Sequence, residues 1–141
     1  MEKTSPFHTP PGIVTQASPH PVLETLQRLE AAVHARGLTV FAHIDHGENA
    51  QQAGLTMNPA HVLIFGNARA GTPLMVAAPL AAPLAALDLP LKVLIWQDDD
   101  GKAWVSYASP GYLIQRYGLP AAMEQNIAGI AGIVAATIQA A

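Results

Sequence analysis

Apolar and polar positions alternate most clearly across residues 87–107. Leu89, Leu91, Val93 and Ile95 interleave with Pro90, Lys92, Leu94 and Trp96 before Asp100-Gly101 and a second strand-like run containing Trp104, Val105 and Tyr107. A period of two flanking Asp-Gly predicts a β-hairpin, and large apolar groups on both of its faces predict cover on both sides. With a two-residue turn, Lys92, Leu94 and Trp96 share a face with Val105 and Tyr107, while Leu91, Val93, Ile95 and Trp104 form the other. The aliphatic set suits a helix-covered core. Lys92, Leu94, Trp96 and Tyr107 are then expected on the open face, an amphipathic surface suited to a subunit contact or a ligand floor. A longer loop would move Trp104 across.

The remaining elements follow from punctuation. Residues 12–17 read as a short strand. Ser18 is expected to cap a helix with Pro19 at its first position. That helix carries Val22, Leu26, Leu29 and Val33 at helical spacing and ends at Arg36, before Gly37. Residues 38–44 alternate as a strand, with Leu38, Val40, Ala42 and Ile44 on one face and Thr39, Phe41 and His43 on the other. Asp45-His46-Gly47-Glu48 looks like a carboxylate capping box for a short helix that Gly54 closes. Residues 61–65 form a compact apolar run, read as a buried strand. Thr72-Pro73 is expected to start a helix, which Pro79 and Pro83 split into two short pieces. Ser109-Pro110 opens a helix ending at Gly118. Pro120 opens a last one toward Ala141, with Met123, Ile127, Ile130, Val134 and Ile138 as its core stripe and Ala128, Gly132 and Ala136 as a smooth second seam.

This order predicts an α+β two-layer sandwich with a mainly antiparallel sheet of about five strands. The chain has 141 residues, half of them apolar, which suits one domain at residues 12–141 behind a mobile tail at residues 1–11. A net charge of -3 with seven Lys and Arg argues against a nucleic-acid partner. There is no cysteine, so thiol chemistry is excluded. The N-terminal residues lack the basic and apolar regions of a signal peptide, and the longest apolar run is too short to span a bilayer. A cytoplasmic protein without a membrane partner is therefore expected.

Four ordered blocks carry a family resemblance. They are Phe41-Ala42-His43-Ile44-Asp45-His46; Leu63-Ile64-Phe65-Gly66-Asn67 with Gly71-Thr72-Pro73-Leu74-Met75; Leu87-Asp88-Leu89-Pro90-Leu91-Lys92-Val93; and Trp104-Val105-Ser106-Tyr107. Together, across residues 12–119, they closely resemble the domain of unknown function 302 family. The resemblance implies a fold similar to the TATA-box-binding-protein-like class, a β-α-β(4)-α arrangement with helices on one face of a curved antiparallel sheet. It implies no established activity. Residues 120–141 read as a helical extension beyond it.

Three clusters are candidates for chemistry. His43 and Asp45 share a strand face and could pair as base and orienting acid; His46, three residues from His43, points away unless the chain turns sharply. A metal held by His43, Asp45 and His46 is the lesser reading, and a helix-cap role for Asp45 the plainer one. The segment from Gly66 through Asn67 to Thr72 follows a strand and opens a helix, as anion cradles do, yet it lacks the lysine of a nucleotide-binding loop. Lys92, Trp96 and Tyr107 are the third cluster. The leading functional expectation is a homodimeric binding or assembly module joined through the open sheet face and holding a small organic ligand, with no cofactor. A small hydrolase or isomerase using His43 and Asp45 is the alternative, and a metal-binding protein the second alternative.

Overall fold

The computed structural model describes residues 8–77 and 82–140; residues 1–7 of the expected tail, and Pro79, lie outside them. The described residues form five strands: β1 Ile13–Ser18, β2 Thr39–Asp45, β3 Ala60–Gly66, β4 Leu91–Gln97 and β5 Ala103–Ala108. They pair antiparallel in the order β1-β5-β4-β3-β2, so β4 is central. Helix α1, Val22–Ala35, carries the chain from one sheet edge to the other. The remaining helices are α2 His46–Gln52, α3 Ala68–Val76, α4 Pro110–Arg116 and α5 Gly129–Thr137, with 3-10 segments at Ala82–Leu87 and Ala121–Asn126. The fold is α+β, with α1 and α5 against one face of the sheet.

The helical stripe read from sequence is the core of that layer. Val22, Leu26, Leu29 and Val33 of α1 meet Leu63 and Phe65 of β3, Val93 and Ile95 of β4, and Val105 and Tyr107 of β5. Ile130, Ile133 and Val134 of α5 complete it. A second apolar cluster joins α3, the Ala82–Leu87 segment, α4 and the Ala121–Asn126 segment, through Leu74, Ala85, Leu113, Ile114 and Ile127. Leu91 packs against both clusters. There the Tyr117 hydroxyl donates to the Asp88 carboxylate, which Arg116 approaches at 3.3 Å.

Several boundaries differ from the sequence reading. Ser18 ends β1, and Pro21 precedes α1 without a side-chain cap; the Ser18 hydroxyl instead meets Thr25 Oγ1 at 2.7 Å. Helix α3 starts before Thr72, because Asn67 Oδ1 accepts from the Arg69 N-H at 2.9 Å and caps it, leaving Pro73 inside. The expected single C-terminal helix is two pieces, the Ala121–Asn126 segment and α5. No described helix packs on its small-residue seam. Ala128 and Ala136 are exposed, and the Arg36 guanidinium lies against Gly132. In β2, a bulge between Val40 and Ala42 breaks the expected single face: Val40 opposes Phe65, while Ala42 and Ile44 oppose Ile64 and Val62 on the side away from the helices.

The hairpin register also differs. The loop spans five residues, 98–102, because Asp98 builds it: its Oδ1 accepts from the Asp100 and Lys102 N-H groups, each at 2.9 Å, and its Oδ2 accepts from Trp104 Nε1 at 2.8 Å. Gly101 supplies the left-handed residue, at φ 84°. Trp96 therefore opposes Trp104, and Ile95 opposes Val105. Trp104 joins Trp96 on the face away from the helices, with ring centroids 6.2 Å apart, and Tyr107 turns into the core. Tyr107 is thus not part of the open face.

Candidate ligand-binding site

At the sheet end where β3 leaves and β4 enters, a cleft of about 480 Å³ lies between α3, the approach to β4 and the start of α5. Its size suits a small organic molecule. Leu38, Phe41, Met75, Leu89, Leu91 and Ile130 form its apolar wall. Its polar groups include Arg36, Asn67, Thr72 and Asn126. Two of these are committed elsewhere: the Asn67 side chain caps α3, and Asn126 Nδ2 donates to the Ala70 carbonyl at 3.0 Å, tying the Ala121–Asn126 segment to α3. A Cβ on Gly66 would stand 3.4 Å from Pro90 Cβ and 3.7 Å from the Phe41 ring.

Arg36 is the cleft's one charged lining residue among those described. It follows α1 and reaches over α5, where a Cβ on Gly132 would stand 2.7 Å from its Nη2. Glycine at 132 is what leaves the guanidinium room. Arg36 is exposed, lines the cleft and makes no side-chain hydrogen bond or ion pair with a described residue. Its charge adds to the positive ends of α3 and α5, with no carboxylate in the lining to offset it. The cleft therefore favours an anion at its mouth and an apolar group inside.

A second hollow, of about 530 Å³, opens beside the start of α1 and is lined by Asp45, Glu48, Gln51, His61 and Gln97 among others. As expected, His43 and Asp45 face the same side of β2, and the register sets His61 of β3 beside both. His43 Nε2 and His61 Nδ1 share a hydrogen bond of 3.0 Å. Asp45 Oδ1 accepts from the Glu48 N-H at 2.8 Å and caps α2, while its Oδ2 stands 3.8 Å from His61 Nδ1, beyond hydrogen-bond range. The acid thus does not orient the imidazoles as a base requires. His46 is exposed at the start of α2 and makes no side-chain hydrogen bond or ion pair with a described residue. Among the described residues, no group of three His, Asp or Glu side chains is placed to hold a metal ion. Since capping is Asp45's visible work, Asp45→Ala is expected to cost about 0.5–2 kcal/mol in chemical denaturation, with Asp45→Ser recovering most of it. No loss on alanine substitution would show that the cap is idle.

The family model described as domain of unknown function DUF302 matches residues 14–137. The chain belongs to the DUF302 family. A crystal structure of an uncharacterized conserved DUF302 protein from Bacillus stearothermophilus superposes with a TM-score of 0.73 over 92% of this chain and 97% of that one, at 22% identity, and so shares the fold. The DUF302 match runs on through α5 to Thr137, so the helical segment after residue 119 is part of the family domain and not an extension beyond it. The chain is also similar to proteins named fluoride-specific ion channel FluC 1 in Brucella suis biovar 1 and in Brucella abortus biovar 1, each 41% identical over 108 residues. It spans about two fifths of the length of these relatives, 41% and 38%. No helix among the described residues is long and apolar enough to cross a membrane.

In this DUF302 chain, the structure brings Asn67 and Thr72 to the cleft, while Asp45 lines the other hollow and His43 is tied to it through its hydrogen bond with His61. Lys92 and Trp96 lie on the open sheet face. Sequence reasoning missed Arg36 and His61. Arg36 reads as an ordinary basic residue at a helix C-terminus, and only the glycines at 129 and 132, at helical spacing, hint that something must approach α5 there.

Proposed function

We propose that this protein is a binding module for a small organic anion with an apolar body, held in the cleft between α3 and α5 with its charged end on Arg36. One observation carries the reading: an arginine without an ion-pair partner among the described residues is the one charged group lining a cleft of about 480 Å³ whose wall is mainly apolar. Guanidinium binds carboxylate or phosphate in a two-pronged geometry, and the wall supplies the surface that a neutral tail would bury.

Titration calorimetry with octanoate and with octanol tests it. Charged hydrogen bonds contribute about 1.5–3 kcal/mol, and Arg36 is exposed enough to sit at the low end, so octanoate should bind roughly tenfold tighter than octanol. Arg36→Ala should erase that preference, and Gly132→Leu should weaken octanoate binding by displacing the guanidinium. Equal binding of acid and alcohol, or an Arg36→Ala variant that still prefers the acid, would refute the proposal.

A further inference from the structure

On the sheet face away from the helices Trp104 of β5 is already buried, at 3% exposed, while the part formed by β2, β3 and β4 is covered by no described helix and is strongly apolar. Ile44, Val62, Ile64, Leu94 and Trp96 stand half-buried on it. We propose that a second copy of this chain covers this face, with the two sheets stacked about a two-fold axis that crosses the central strand β4 near Ile95 and runs perpendicular to the strands. This inference goes beyond the ligand site, which lies at the sheet end.

Charge and shape select the partner and its orientation. Lys92 is exposed on this face near the start of β4. The nearby carboxylate, Asp88, is already engaged by the Tyr117 hydroxyl and Arg116, so this end stays positive. The far end of β4 runs into Asp98, Asp99 and Asp100, offset by Lys102 alone, and is negative. A two-fold axis parallel to the strands would stack acidic tip on acidic tip and Lys92 on Lys92. The perpendicular axis reverses one β4 over the other and sets each Lys92 against the opposing tip, the arrangement that complementary potentials favour.

The same operation exchanges positions 94 and 96. Where β4 and β5 separate, a hollow of about 310 Å³ opens between Val62, Lys92, Leu94 and Ser106 on this face and reaches inward to Tyr107, Leu113 and Ile130. Trp96 stands two residues farther along β4, and its indole is held in place by stacking on Trp104 and by donating Nε1-H to Ser106 Oγ at 3.0 Å. An axis through Ile95 brings Trp96 of each copy over Leu94 and the hollow of the other. A large aromatic entering a complementary recess is the kind of contact that dominates interface energetics.

Light scattering coupled to size exclusion tests the proposal at micromolar protein. The parent should be a dimer that weakens as salt rises. Leu94→Glu should give a monomer with an unchanged circular dichroism spectrum. Because that variant could also fail to fold, Lys92→Glu, at an exposed position, is the second probe: it should weaken the dimer about fivefold or more, and adding Asp99→Lys with Asp100→Lys should restore it. A monomeric parent, kept for some other partner, overturns the proposal. So does a dimer that folded Leu94→Glu leaves intact, and a charge swap that fails to restore association overturns the orientation.

Discussion

Ending the chain after Leu119 is expected to abolish cooperative folding. The segment removed carries Ile127, Ile130, Ile133 and Val134, all at most 3% exposed, three of them wedged among α1 and the central strands. Burying a side chain of this size contributes about 1.5–3 kcal/mol, so the four together supply roughly 6–12 kcal/mol. A domain of this size is stable by only about 5–15 kcal/mol. The truncated chain should therefore show no sigmoidal thermal transition by circular dichroism and should bind hydrophobic dyes. A truncated protein that melts cooperatively near the parent temperature would show that α5 is an appendage rather than half of the helical layer.

Asp98→Ala should be the most destabilising change in the β4-β5 loop. It strands the Trp104 indole N-H and the Asp100 and Lys102 backbone N-H groups at once, at a position only 9% exposed. Asp99→Ala, which loses a single contact with Asn58, is the control. The melting temperature should fall far more for Asp98→Ala, and the fluorescence of the buried Trp104 should shift to longer wavelength. The Trp104 N-H, opposed by burial and helped by the Lys102 and Asp100 N-H groups, holds the Asp98 carboxyl below its ordinary value of 3.8. A group whose folded value is lowered stabilises the fold above its unfolded value and loses that contribution as pH falls through the folded one. The gap in melting temperature between the parent and Asp98→Asn should thus be full at neutral pH and shrink below about pH 3.8. A gap independent of pH would mean that the carboxylate charge does not hold the loop.

That aspartate also shows where sequence reasoning reaches its limit. The Asp100-Gly101 pair marks the turn correctly, and Gly101 does take the left-handed conformation, but the loop length is set by three hydrogen bonds to Asp98 that no local pattern announces. One side chain decides whether Trp104 or Tyr107 reaches the open face. The bulge in β2 is similarly silent, because the alternation of residues 38–44 is compatible with an unbroken strand. Amphipathic spacing and glycine or proline punctuation did expose α1, α2, α4 and the order of all five strands, since those signals are local. The cleft is not local. Arg36, Phe41, Thr72, Leu91 and Ile130 come from five segments, and each has an unremarkable role in its own element. His61 is hidden for the same reason: it interrupts an apolar strand and meets His43 only through β2-β3 pairing.

Chemical-shift mapping of the isotopically labelled protein with octanoate is the most direct test of the anion site. Saturable changes are predicted in the amides of Asn67, Gly71, Thr72, Leu91 and Gly129, which surround the cleft. Changes centred instead on Glu48, His61 and Gln97, or spread over the sheet face without saturation, would contradict it.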